Sequence, residues 1–248
     1  MGAPGFDDAP LVDPVENAYP TSVTFVYPYY RNPVFLQRQI QRWHHYQPDF
    51  RAHLSAIIVD DGSPEPAEQI LKLVAQPFPI RLFRIEVDVR WNWLAARNIG
   101  MHHAEGWCVL TDMDHVIPHE TAGALVFGKH DPNVIYRFSR READGRQIHP
   151  HPNSMLMTRA MFWKVGGYDE ALSGHYGTDG DWRRRCAATA KILTLPYELE
   201  RHEYEDDSST LSYKRKQPED AGKKAIIAKR RKGWRAKTLS FPYHEVNL

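Results

Sequence analysis

Alternation is the feature that most constrains this chain. Short apolar, β-branched runs recur along it: VTFVY (23–27), LSAIIVD (54–60), IRLFRIEV (80–87) and WCVLT (107–111). Segments of helical period separate them. PVFLQRQIQRWHHY sets Phe35, Leu36, Ile40 and Trp43 on one stripe; EQILKLVA follows the second run, and NWLAARNIGMHHA follows the third with Asn92 as its N-cap. The Gly and Pro of DGSPEP force a turn between strand and helix. Strands alternating with helices of this length specify an α/β domain whose sheet is largely parallel and flanked by helices.

At 248 residues and 42% hydrophobic, the chain can bury the core of one domain with an appendage. No apolar run approaches the roughly 18 residues of a membrane span. Residues 1–20 (MGAPGFDDAPLVDPVENAYP) lack a basic stretch followed by an apolar one, so they read as a loose leader and not a secretory signal. Only two cysteines occur, Cys108 and Cys186, which argues against a disulfide framework or a cysteine-rich zinc site. A reducing, cytoplasmic setting is the expectation. The net charge of +1 hides an asymmetry. Residues 213–248 hold eleven Lys and Arg against three acids, a charge of +8 that leaves −7 on the rest. A basic extension on an acidic body is expected either to form a solvated surface helix or to meet a polyanion. Its apolar residues Ile226, Ile227, Trp234 and Phe241, with helical spacing over 219–232, predict that part of it packs on the body.

In such sheets ligands gather where parallel strands end. Three strands end in suggestive chemistry: YPYYRN, DDGS and TDMDH. Asp60 and Asp61 either cap the next turn or accept from a nucleoside, through an imide N–H or ribose hydroxyls. Asp112 and Asp114 repel one another; two charges 4 Å apart cost roughly 4 kcal/mol at an effective dielectric near 20. A hard divalent cation removes that cost and prefers oxygen ligands, so Mg²⁺ or Mn²⁺ shared with phosphates is the natural occupant. Arg97 and Asn98 precede this strand; an arginine beside a diphosphate is an oxygen-binding fork. Further on, TDGDW opens a helix. Asp179 and Asp181 there either favour the helix dipole or supply a general base. His202 stands in RHEYEDD, directly before an acidic cluster and the basic extension.

Taken together, VTFVYPYYRN, AIIVDDGS, AARNIGMHHAEGWCVLTDMDHVIP, VGGYDE and YGTDGDWRRR resemble a GT-A glycosyltransferase of the family 2 type, from about Val23 to His202. GGYDE, TDGDWRRR and RHEY also resemble the C-terminal part of metal-dependent β-galactosyltransferases. The resemblance implies a GT-A domain over 21–212, with a nucleotide-binding half (21–117), an acceptor and catalytic half (118–212) and a basic extension (213–248). It implies that Pro28, Tyr30, Asp60 and Asp61 hold the nucleoside and that Arg97 lies near the donor. Asp112 would face the ribose or the metal, Asp114 would bind the metal, and His202 would complete the metal shell. Asp179 would be the catalytic base, with Asp181 and Trp182 lining the acceptor side. One departure is plain: Thr178 stands where the family carries Glu before the catalytic Asp, which leaves the acceptor class open. The implied activity is metal-dependent, inverting transfer from a nucleotide-sugar, UDP-linked by expectation, to an acceptor hydroxyl. That acceptor would be a glycan, a glycoconjugate or a nucleic acid such as hydroxymethylated DNA. Two rivals make separate demands. A sugar-phosphate nucleotidyltransferase needs a Gly-rich phosphate loop after the first strand, and YPYYRN has no glycine. A non-catalytic nucleic-acid-binding protein would use the basic extension and need no carboxylate constellation.

Overall fold

The computed structural model describes residues 6–17, 19–201, 221–231 and 235–248. The first half alternates as the pattern predicts: β1 (Val23–Tyr29), α1 (Pro33–His44), the short α2 (Pro48–Arg51), β2 (Leu54–Asp60), α3 (Ala67–Leu71), β3 (Ile80–Ile85), α4 (Trp93–His103) and β4 (Trp107–Leu110). The second half holds β5 (His115–Val116), α5 (His119–Phe127), β6 (Val134–Glu142), β7 (Gln147–Ile148), β8 (Met155–Thr158), α6 (Arg159–Val165), α7 (Asp179–Thr189) and β9 (Lys191–Arg201). α8 (Ala221–Arg231) and β10 (Tyr243–Val246) follow.

All ten strands of the described residues join one sheet, ordered β10-β3-β2-β1-β4-β8-β6-β9-β5, with β7 on β6. The longest ladders, β1 with β2 and β6 with β9, are parallel, as are β2–β3 and β1–β4. β8 runs antiparallel between β4 and β6, and the sheet ends in antiparallel edges, β10 on β3 and β5 on β9. The sheet is therefore mostly parallel by length, with an antiparallel insertion that strand patterning alone does not announce.

Side chains alternate across the strands and feed a core on each face. Phe25 and Tyr27 of β1 meet Leu36, Ile40 and Trp43 of α1 on one face. The Trp43 ring centroid lies 5.9 Å from Tyr27 and 5.0 Å from Phe78. Val26 points the other way, with Ile57 and Val59, against Ala95, Ala96 and Ile99 of α4. Here Gly100 permits close approach: a Cβ would collide with Val26 Cγ1 and lie 3.6 Å from Val59 Cγ2.

Two segments differ from the sequence expectation, and a third packs in part as expected. β1 continues through Pro28 to Tyr29. Its register with β4 stops at Val26–Leu110, so proline interrupts no bond on that side. The leader is laid down from Phe6 onward. Phe6 is buried beneath Arg137, Thr194 N donates to Pro10 O (2.8 Å), and Val12 N donates to Thr194 O (3.0 Å). The extension also packs: Ile226 is buried and β10 adds to the sheet edge, whereas Ile227 is largely exposed. Trp234 lies outside the described residues. No helix among the described residues is long and apolar enough to cross a membrane.

Candidate active site

β1 has β2 on one side and β4 on the other, so the strand order reverses beside it. Such a switch point opens a crevice at the strand carboxyl ends. A cavity of about 390 Å³ lies there. Pro28, Tyr29 and Tyr30 line it from β1, Asp61 from β2, and Asp112, Met113 and Asp114 from β4; Asp179 lines it from the start of α7. Three distant carboxylate motifs thus line one cavity.

The paired acids after β2 divide their work. Asp60, expected beside the nucleoside together with Asp61, does not line the cavity. It is fully buried, accepts from Ser63 N (2.7 Å) and Ala67 N (2.9 Å), and pairs with Arg84 at 2.8 Å. Those bonds fold the DGSPEP turn and start α3. Asp61 is the cavity residue: it is 5% exposed, and its Oδ1 meets no partner among the described residues. Burial pushes its pKa well up, the charges of Asp60 and Asp88 add to this, and hydrogen bonds from Asn92 oppose it. Tyr30, beside it, donates its hydroxyl to Asp88 (3.2 Å).

Behind the DMD turn sits Arg97, wholly buried. It does not line the cavity and acts through others. Its guanidinium donates to Asp112 Oδ1, to Asn153 O (2.5 Å) and to Tyr168 Oη (3.2 Å), and lies 5.1 Å from the Trp93 ring centroid. Burial works against its charge, but Asp112 and Tyr168 outweigh burial and raise its pKa. Asp112, one-third exposed, also faces His151 Nε2 at 3.3 Å. His151 is held neutral: burial, then the neighbouring His115, pushes its pKa well down. The tautomer of His115 follows from its partners. Arginine only donates, so Arg140 at 3.1 Å requires a lone pair on Nε2; the proton is therefore on Nδ1, donated to Asp114 Oδ1 at 2.7 Å. Gln39 fixes the same turn by donating to the carbonyls of Met113 (3.3 Å) and His115.

Asp112 and Asp114 are hard oxygen donors, and Mg²⁺ is commonly held by one or two carboxylates while phosphate and water fill its remaining positions. The pair fits such an ion on those terms. No cluster of three or more His, Cys, Asp or Glu that could hold a metal occurs among the described residues. His202, the expected third ligand, lies outside them.

On the opposite wall, Asn153 Nδ2 donates to Asp179 Oδ1 at 3.3 Å. Asn153 is 6% exposed and its own Oδ1 has no partner among the described residues. Asp181 and Trp182, expected on the acceptor side, do not line the cavity. At 100° per residue they turn inward from the start of α7. Asp181 is 1% exposed, with Arg185 Nε at 2.8 Å and Arg184 at 3.4 Å. Trp182 is stacked on Tyr168, 4.3 Å between centroids, inside the core.

The sequence reading missed His151, Asn153, Trp91 and Tyr176, all of which line the cavity. Trp91 carries a signal only the backbone gives: a bulky residue at φ 55°, outside the usual range, with its ring centroid 5.0 Å from Tyr176.

The sequence model of glycosyl transferase family 2 matches residues 18–185. No curated protein matches the sequence. Similar solved structures include S. aureus TarS 1-349 in complex with UDP-GlcNAc, 15% identical, TM-score 0.62, with 76% of this chain and 60% of that one covered. The chain thus spans about 60% of that TarS fragment. The mannosyltransferase PcManGT from Pyrobaculum calidifontis, in complex with GDP-Man and Mn²⁺, is 16% identical, TM-score 0.60, with 91% and 68% covered. GalNAc-T7 with UDP, GalNAc and Mn²⁺ is 14% identical, TM-score 0.55, with 79% and 47% covered. At these identities the likeness is one of fold, the GT-A arrangement expected from the motifs. The family match covers well over half the chain, including the ends of β1, β2 and β4 and all three carboxylate motifs that line the cavity: this chain belongs to glycosyl transferase family 2.

Proposed function

We propose that the chain transfers a sugar from a nucleotide-sugar, UDP-linked, to an acceptor hydroxyl, with a divalent cation and with inversion at the anomeric carbon. One observation carries this reading: Asp61, Asp112, Asp114 and Asp179 all line a single cavity at the strand ends. Asp61 offers an unsatisfied acceptor of the kind an imide N–H or a ribose hydroxyl fills. Asp112 and Asp114 would hold Mn²⁺ or Mg²⁺, joined by His202, and when bound the cation offsets charge developing on the departing diphosphate. Arg97 orients Asp112 from behind, and His115 does the same for Asp114. Asp179 takes the proton of the acceptor hydroxyl as that oxygen attacks opposite the leaving group, and Asn153 Nδ2 keeps its carboxylate aimed. A nucleotidyltransferase is disfavoured because Tyr30, Arg31 and Asn32, not glycines, follow β1.

The acceptor carries a free hydroxyl. A polyanion, nucleic acid with hydroxymethylated bases or an anionic glycan, would meet the exposed Lys223 and Lys224 of α8. Calorimetric titration with UDP, GDP and ADP, each with and without Mn²⁺, tests the donor side. UDP binding that requires Mn²⁺ is expected. Metal-independent binding, or binding of none of the three, would overturn it.

A further inference from the structure

The GGYDE stretch supplies two buried acids that the proposed chemistry does not use. Glu170, 3% exposed, receives Asn98 Nδ2 (2.8 Å) and Leu239 N (2.7 Å) on Oε1, and Ser240 N (2.7 Å) and Oγ (2.6 Å) on Oε2. Its own N–H donates to Lys237 O (2.8 Å). Asp169 receives Lys237 N (3.0 Å) on Oδ1 and pairs with Lys229 of α8 at 3.3 Å. Asn98 apart, these partners are 60 to 70 residues away, in the C-terminal extension. Leu239 sits at φ 52°, a conformation a leucine keeps only when its surroundings hold it, and Glu170 is what holds its N–H. The acids form a latch, and the extension is what they close on.

The latched segment reaches the cavity at one point. Gly222, in the first turn of α8, is seated on the backbone of Tyr176 and Gly177. A Cβ there would overlap Tyr176 O and lie 2.9 Å from Gly177 C and O. Tyr176 and Gly177 line the cavity, and Asp179 begins α7 two residues later. Ser173 Oγ, in the same loop, donates to Asn92 Oδ1 (2.6 Å), so the far end of the loop is already fixed. α8 therefore backs the stretch between that anchor and Asp179.

We propose that the described part of the C-terminal extension buttresses a wall of the catalytic cavity from behind, with Glu170 and Gly222 as positioning residues: Glu170 latches residues 237–240, and the latch seats α8 through Gly222 behind the Tyr176–Gly177 wall. The inference builds on the proposed function only for its kinetic readout. Glu170→Gln replaces one acceptor oxygen by an NH₂ facing N–H groups. Gly222→Ala favours the helix by propensity, yet forces the helix off the wall. The control is Ala228→Ser, exposed on α8.

Hydrogen exchange at 173–178, UDP affinity with Mn²⁺, and nucleotide-sugar hydrolysis are measured on the full chain. The expected result is exchange at 173–178 faster by tenfold or more in both variants, and hydrolysis down about tenfold or more. UDP affinity should stay within twofold, and the control should match wild type. Gly222→Ala with wild-type exchange and hydrolysis overturns the proposal, and it does so even if Glu170→Gln fails to fold. If Asp179→Asn keeps full hydrolysis, the catalytic assignment falls while the latch is still judged by exchange alone.

Discussion

Replacing Asp61 by Asn should make the protein more stable and a poorer binder of UDP. The Asp61 carboxyl is buried beside two other acids and leaves Oδ1 without a partner among the described residues. An unsatisfied buried polar atom costs about 1–3 kcal/mol. An amide at this position replaces the ionisable carboxyl by a group that can donate near two acids and cannot ionise. Tm should rise by roughly 2–10 °C for a chain of this size. The sign with pH is fixed by the direction of the shift. The folded pKa is raised above the unfolded value of about 3.9, so the native state holds the proton longer than the unfolded state. Wild-type stability from this group therefore falls as pH climbs from about 4 through the raised pKa. The Asn variant does not titrate there, so its advantage should open with rising pH and close near pH 4. Binding moves the other way. Loss of the acceptor oxygen for the nucleoside, about 0.5–1.5 kcal/mol, weakens UDP by roughly 2- to 12-fold. Thermal unfolding from pH 4 to 8 and calorimetry with UDP and Mn²⁺ read both. A variant less stable than wild type at pH 7, or one with unchanged UDP affinity, would refute the reasoning.

Asp179→Asn should leave UDP affinity nearly intact while transfer or hydrolysis drops by about 10²–10⁴-fold; near-normal turnover in steady-state kinetics would remove Asp179 from the base role. Asp114→Ala and His202→Ala should each abolish metal-dependent UDP binding in calorimetry, and undiminished affinity in both would dismiss the metal assignment. If a polyanion meets α8, DNA binding should weaken log-linearly with salt. Lys223→Ser with Lys224→Ser should then lower the slope by about two; an unchanged slope would detach these lysines from any acceptor.

The strand and helix alternation was readable because β1, β2 and β4 are buried on both faces and leave nearly continuous apolar runs. Carboxylates at the ends of β2 and β4 were readable for the same reason: parallel strands all end on one side, so Asp61 and Asp112 had to be neighbours. Asn153 and His151 were hidden because they precede a strand instead of following one. Only once β8 is known to run antiparallel does its leading loop join the ends of β1 and β4. Asp60 and Asp61 were not divided by sequence, and Asp179 was set apart from Asp181 only by the family resemblance. In each pair the two residues are chemically identical, and a shift of one or two residues along the backbone decides which lines the cavity. The extension's apolar residues predicted packing, but its docking on Glu170 depends on contacts some seventy residues apart, which no local pattern encodes.

The most direct test of the account is nucleotide release. The full chain is incubated with a panel of UDP-, GDP- and ADP-linked sugars, with Mn²⁺ or with a chelator, and free nucleoside diphosphate is quantified over hours. The account predicts slow release of UDP from at least one UDP-sugar, abolished by the chelator and by Asp114→Ala. Release of no nucleotide from any donor, or release unaffected by both the chelator and Asp114→Ala, would contradict it.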